Sequence, residues 1–258
     1  MNKSSKDDPR IEYWNQDYLN FWKERTSEAD INKDLDDSTS SSKNYFDAIS
    51  LLELNKSDVI LEVACGHGRS LPFLCPKVKK VFACDISKEM IAQARLNNEF
   101  TNLEFAVCSA ENMPFEDNLF NNIVCFAAFD AMYQNKALAE FNRVLRINGS
   151  IVLTGKNFNY CEDDILAYEA ELGAKNKNHP NYFTDVKKLK KIIKHYGFRI
   201  NRAHFFIKRG DFNKSNYTRT IPPKFYEYLF VLSKVSDSKP YEKEEFSYAD
   251  SRVFLDRL

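Results

Sequence analysis

Between Val59 and Thr154, five short apolar runs alternate with stretches of helical periodicity: Val59 to Val63, Lys80 to Cys84, Asn102 to Val107, Asn122 to Ala127 and Ser150 to Thr154. Runs that stay apolar on consecutive residues suit strands covered on both faces, and strands that take turns with helices suit a parallel sheet. The fold class expected is therefore α/β with a doubly wound sheet. Helices are expected at about Asn44 to Leu54, Arg69 to Leu74, Lys88 to Asn98 and Asn135 to Arg146, the last stopped by Asn148-Gly149. Thr184 reads as the N-cap of a further helix that ends at Tyr196, before Gly197. Two later runs, Phe198 to Ile207 and Tyr226 to Val235, complete an expected seven strands.

The flanks differ in character. Residues 10–25 set Ile11, Trp14, Tyr18, Phe21 and Trp22 at helical spacing, and the polar stretch to Lys43 reads as a connection. Residues 1–43 are thus expected to form a helical lid with its linker. Residues 44–235 would form the main domain, with insertions 155–183 and 208–224, and 236–258 a C-terminal tail. The longest apolar run, Ile123 to Phe129, is far below the roughly 18 to 20 residues that a membrane helix needs. Met1 to Arg10 lacks the apolar core of a secretory signal, so a cytoplasmic protein without a membrane partner is expected. Six cysteines without a Cys-x-x-Cys fit free thiols in a reducing compartment, and no His, Asp or Glu cluster has the spacing of a metal site.

The first strand runs into Glu62-Val63-Ala64-Cys65-Gly66-His67-Gly68-Arg69, a turn whose glycines let backbone N–H groups approach a ligand at a helix start. Leu71 stands where a dinucleotide fingerprint needs its third glycine, which argues against NAD and FAD. The second strand ends in Cys84-Asp85, seventeen residues after Gly68, where a carboxylate can accept both hydroxyls of a ribose. With Ile60 to Arg69, Cys84 to Arg95, Ser109-Ala110-Glu111-Asn112-Met113-Pro114-Phe115 and Glu140 to Ser150, residues 44–154 resemble the class I S-adenosylmethionine (SAM) dependent methyltransferases. The likeness is to their small-molecule branch, which includes the ubiquinone and menaquinone enzymes. It implies a Rossmann-like sheet, SAM as cofactor and a methyltransferase activity. It further implies that Glu62, Ala64, Gly66 and Gly68 surround the methionine portion, Asp85 the ribose, and Ile86 and Met90 the adenine face. Ala110 and Glu111 would border the adenine edge. Ala64 stands where the family often has its first glycine and Ser109 where it has an aspartate for the adenine amino group.

In such folds the acceptor lies above the ends of the fourth and fifth strands, which brings Phe126, Phe129, Asp130, Met132 and Tyr133 into view; Phe126 would also border the cofactor. Asp130 and Tyr133 are candidate catalytic groups. His179, in the loop Asn178-His179-Pro180-Asn181-Tyr182-Phe183, is the first candidate base, because His67, His195 and His204 each have a structural explanation. The 37 basic residues balance 37 acidic ones, yet residues 175–224 hold 14 Lys plus Arg against Asp185 and Asp211. Arg199, Arg202, Lys208, Arg209, Lys214, Arg219 and Lys224 surround the excursion between the last two strands. That lining suits a small anionic acceptor, such as a hydroxyl of a nucleotide-linked or phosphorylated sugar in bacterial surface-polysaccharide biosynthesis. RNA or nitrogen methylation is the enzymatic alternative, and a fold that binds without catalysis is the other. Ala127-Ala128-Phe129-Asp130 lacks the Asn-Pro-Pro-aromatic motif that holds a flipped base, which argues against nucleic acid.

Overall fold

The computed structural model describes residues 13, 16, 42–160, 162–238 and 245–257. The proposed lid therefore lies outside the described residues, apart from Tyr13 and Gln16. A first helix, α1 (Ser42–Ile49), leads to a seven-stranded sheet of β1 (Val59–Val63), β2 (Lys80–Asp85), β3 (Leu103–Val107), β4 (Phe120–Cys125), β5 (Leu145–Lys156), β7 (Phe198–Phe206) and β8 (Glu227–Lys234). Its order is β3-β2-β1-β4-β5-β8-β7. β1 to β5 pair in parallel, whereas β8 runs antiparallel to both β5 and β7.

Both faces of the sheet are covered, and the strand alternation shows how. Leu61, Val63, Ile123, Cys125, Ile151 and Leu153 enter one core, while Ile60, Val81, Val124 and Val152 enter the other. Ala137, Leu138 and Phe141 of α4 (Gln134–Val144) cover the first face with Val186, Leu189 and Ile192 of α6 (Val186–Ile192). The second face is covered by α1, by the short α2 (Leu71–Leu74) and by Ile91 of α3 (Lys88–Asn97). At about 1.5 to 3 kcal/mol for each large apolar side chain buried, these two cores supply the main driving force. Lys234, fully buried, donates to Asn142 O at 2.8 Å, Leu145 O at 3.0 Å and Asn118 Oδ1 at 2.9 Å, so its ammonium satisfies carbonyls at the end of α4.

Several boundaries depart from the sequence reading. The helix expected to reach Arg146 ends at Val144, and β5 begins at once at Leu145. Asn148 is left-handed (φ 65°), as its Asn-Gly signal suggests, but it sits in an irregularity of β5 where the register jumps from Phe120↔Leu145 to Asn122↔Ser150. Asp185, not Thr184, caps α6: its Oδ1 accepts from Lys188 N at 3.0 Å. The Thr184 hydroxyl instead donates to Gln134 Oε1 at 2.8 Å in the interior. The stretch 155–183, expected as a loop, holds α5 (Ile165–Asn176), capped by Asp164 Oδ1 accepting from Ala167 N at 3.1 Å. It ends in β6 (Phe183–Thr184), which pairs with β9 (Ser247–Tyr248) ahead of α7 (Arg252–Leu255). Residues 245–257 thus return to the body, burying Phe246, Val253 and Phe254.

Candidate active site

Where β1 ends, the backbone turns through three left-handed residues, Ala64 (φ 55°), Gly66 (φ 54°) and Gly68 (φ 85°). Asp85, at the end of β2, ties this turn to the next helix: its Oδ2 accepts from Gly66 N and its Oδ1 from Ser87 N, each at 2.9 Å. Burial pushes the Asp85 carboxyl up against the pull of those amides. Ser87 starts α3 by accepting from Met90 N at 3.2 Å. Glu62, on β1, accepts a short hydrogen bond from the Ser70 hydroxyl. Burial, opposed by Ser70 and aided by Asp85, raises its carboxyl to about 7.

A cavity of about 450 Å³ opens above these strand ends. Of the residues singled out from sequence, Glu62, Ala64, Gly66, Asp85, Ile86 and Met90 line its first half. Ala110, Glu111, Phe126, Asp130 and His179 also reach it. Gly68, Ser109 and Tyr133 do not. A Cβ at Gly68 would lie 2.4 Å from Asn98 Nδ2 and 2.8 Å from Leu71 Cδ1, so this glycine serves helix packing. The Ser109 hydroxyl turns onto Glu111, and Tyr133 gives its N–H to Glu111 Oε1 at 2.7 Å while its ring meets Tyr182.

The far half of the cavity holds a charged network absent from the sequence reading. Lys156, the last residue of β5, sits 3.0 Å from Asp130 Oδ2 and 3.0 Å from Glu171 Oε1. Burial opposes the Lys156 charge, yet Asp130 and Glu171 outweigh it and hold its pKa well above the ordinary range. Tyr226 donates a short hydrogen bond to Glu171, and Arg209 Nη1 donates to the Tyr226 hydroxyl at 3.0 Å. Glu171 and Tyr226 are both buried, and Arg209, Tyr226 and Glu227 line the cavity wall. The Arg209 backbone N donates to Asp164 Oδ2 at 2.7 Å, which pins its loop to the start of α5. His179 Nδ1 lies 3.0 Å from the Tyr13 hydroxyl; burial and the Lys156 charge lower its pKa to about 4. Asp130, a candidate base on sequence grounds, is thus committed to an ion pair. Tyr45, Phe126 and Phe212 supply an aromatic wall, with Tyr45 and Phe126 ring centroids 5.1 Å apart. The described residues include no group of three or more His, Cys, Asp or Glu placed to hold a metal ion, and no helix long and apolar enough to cross a membrane.

Residues 61–153 match the family model of a methyltransferase domain. With the sheet order and the strand-end cavity, this marks residues 61–153 as a methyltransferase domain within a Rossmann-like fold. Among its relatives, the ubiquinone/menaquinone biosynthesis C-methyltransferase UbiE of Rickettsia bellii is 37% identical over 109 residues, which cover 38% of this chain and 44% of that protein. The chain therefore spans less than half the length of that relative. Among solved structures, a putative methyltransferase from Bacillus halodurans aligns with a TM-score of 0.58 at 22% identity, over 76% of this chain and 100% of that one. A geranyl diphosphate C-methyltransferase from Streptomyces coelicolor, in complex with Mg2+, geranyl diphosphate and S-adenosyl-L-homocysteine, aligns with a TM-score of 0.58 at 13% identity, over 75% and 77%. These two show the shared fold.

The residues fit SAM. Glu62 Oε2 is buried with no hydrogen-bond partner among the described residues, an acceptor suited to an ammonium. A Cβ at Gly66 would meet nothing within 4 Å, so the cavity comes up to the turn backbone. Asp85 keeps further lone pairs for hydroxyl donors beside its two amides.

Proposed function

We propose that the chain transfers the methyl group of SAM to a hydroxyl of a small anionic acceptor held at the Arg209 end of the cavity. When bound, the cofactor supplies a methyl group on a positively charged sulfur. The protein's share is position and charge. Asp85 would take the ribose hydroxyls, Glu62 the ammonium, and Ile86 and Met90 the adenine face, while Phe126 would close the cofactor half. The observation that carries the acceptor class is Arg209: its guanidinium lines the cavity and makes no ion pair among the described residues. Glu171 and Glu227 act on this half-buried cation without touching it, which leaves its guanidinium open to the contact of an anionic ligand. Lys208, Lys214, Arg219 and Lys224 belong to the same excursion, and although Lys208 pairs with Asp163 and Lys224 with Glu162, its basic character suits a nucleotide-linked or phosphorylated sugar of bacterial surface-polysaccharide synthesis. C-methylation of a hydroxylated ring is a second reading, supported by the aromatic wall and by the likeness to the ubiquinone/menaquinone enzymes. The free thiols Cys65, Cys75, Cys84, Cys108 and Cys125 suit a reducing cytoplasm.

The test is calorimetry of the full chain with SAM and with its demethylated product, followed by transfer of tritium-labelled methyl to sugar phosphates, UDP-sugars and hydroxybenzoates. Arg209→Met is expected to retain SAM affinity and to raise the acceptor KM tenfold or more. A chain that binds neither cofactor form would be a non-catalytic module. An unchanged KM in Arg209→Met would reject the anionic acceptor.

A further inference from the structure

We infer that Glu227 is the group that takes the acceptor's proton, at the far end of the cavity beside Arg209. This rests on the methyltransferase reading above.

Proton removal needs a basic atom that faces the cavity and is not already committed. The Asp130 carboxylate is held by Lys156 at 3.0 Å. Asp85 accepts two backbone amides, and Glu111 accepts from Tyr133 N and the Ser109 hydroxyl. Tyr226 donates its hydroxyl hydrogen bond to Glu171, and burial keeps its pKa well above the ordinary range. His179, engaged with the Tyr13 hydroxyl and lowered to about 4, is too weak a base to hold a proton near neutrality. Glu62 belongs to the cofactor turn and is held by Ser70.

Glu227 differs from all of these. Its carboxylate accepts no hydrogen bond and makes no ion pair among the described residues, yet it lines the cavity. As the first residue of β8 it lies in register with Lys156 on one side and Phe206 on the other. Lys156 is the natural counter-ion across the ladder, but its ammonium is drawn to Asp130 and Glu171 instead. The charges facing Glu227 come from every neighbouring element: Asp130 from the segment after β4, Lys156 from β5, Glu171 from α5 and Arg209 from the loop after β7. Tyr45 of α1 and Tyr228 of β8 also feel its charge. Burial is the largest influence, Asp130 and Glu171 reinforce it, Lys156 and Arg209 oppose it, and the carboxyl is raised to about 7. A carboxyl there can accept a proton during turnover and return it to solvent afterwards.

In the step, the acceptor O–H bond breaks and its proton goes to a Glu227 carboxylate oxygen. The O–H electron pair forms the new bond to the methyl carbon, and the carbon–sulfur bond breaks with its pair left on sulfur. Charge balances: one carboxylate and one sulfonium become a neutral acid and a neutral thioether.

Two measurements on the full chain test this. Carboxyl infrared difference spectra should show a group that ionises near pH 7 and is missing from Glu227→Gln; ionisation in the ordinary carboxylate range would overturn the proposal without any acceptor. Tritium transfer from SAM to the sugar phosphates, UDP-sugars and hydroxybenzoates is the second. Glu227→Gln should bind SAM as the parent does, lose about 10² to 10⁴ in kcat with little change in KM, and lose the acid limb near pH 7. The limb should survive in His179→Gln. A parent that transfers methyl while Glu227→Gln matches it would overturn the role of Glu227 alone. A parent that binds SAM but labels none of these acceptors would overturn the acceptor reading, and this inference with it.

Discussion

Lys156→Met removes the cation that two buried carboxylates share. Side-chain exposure is 21% for Lys156, 7% for Asp130 and 1% for Glu171, so water screens the group poorly. At 3.0 Å and an effective dielectric of about 20, each contact carries a gross attraction of roughly 5 kcal/mol, most of which offsets the cost of taking three charges out of water. Methionine replaces the aliphatic stem, so the loss isolates the charge, and about 3 to 5 kcal/mol of stability should go. The loss should depend on pH. With the ammonium gone, the folded variant relieves two facing carboxylates by taking up a proton that the unfolded chain does not hold at neutral pH. Stability of the variant then falls as pH rises. Urea unfolding at pH 5.5 and pH 8 should show the larger deficit at pH 8. A deficit under about 1 kcal/mol at both pH values would refute a buried, mutually dependent network. The triple replacement Asp130→Leu, Lys156→Met, Glu171→Leu should recover most of the lost stability, because no charge is left unpaired.

The two turn glycines should separate cleanly. Gly68→Ala meets Asn98 and Leu71 and has φ 85°, so it should cost about 2 to 4 kcal/mol in thermal or urea unfolding, whereas Gly66→Ala, at φ 54° with open space around its Cβ, should cost only the backbone strain of about 1 to 2 kcal/mol and lose SAM affinity by calorimetry. The reverse pattern would reject the assignment. Asp85→Ala should weaken SAM by about 1 to 3 kcal/mol, and unchanged affinity would remove the carboxylate from the cofactor site. His179 adds a pH signature of the opposite sign to Lys156→Met: the unfolded chain binds its proton below about 6.5 while the folded chain resists until about 4, so stability falls as pH drops through that window. His179→Gln should flatten part of that fall in urea midpoints between pH 7 and pH 5, and an identical slope would refute it.

The half of the cavity proposed for the cofactor was legible as a site because its signals are local. A strand, a glycine turn and a helix cap follow one another within a few residues, and Asp85 lies at the next strand end. Even the departure at Ala64 has a local meaning: alanine adopts there the left-handed conformation that glycine adopts freely. The half proposed for the acceptor hid its signals in tertiary structure. α5 reverses the usual pattern, with Ile165 and Leu166 exposed and Glu171 buried, so its periodicity does not read as a helix packed on a core. Glu171 becomes intelligible beside Lys156 and Tyr226, which lie far from it in sequence. Asn148-Gly149 gave a true left-handed turn, but a strand irregularity and a helix stop use the same dipeptide. Thr184 and Asp185 are both good caps, and the interior hydrogen bond of Thr184 decided between them.

The antiparallel placement of β8 has an evolutionary reach. Phe206 leaves the central sheet and Glu227 re-enters it directly opposite, so residues 207–226 hang from two neighbouring points of one ladder. Such a graft can be lengthened, shortened or exchanged while its anchors stay fixed, because closing a loop whose ends already touch costs little extra for each added residue. The match to the methyltransferase family model ends at residue 153, ahead of this excursion. Under the proposed function, exchange of that graft would keep one methyl donor and visit many acceptors, with Phe206 and Glu227 as the hinge pins on which each new specificity is hung.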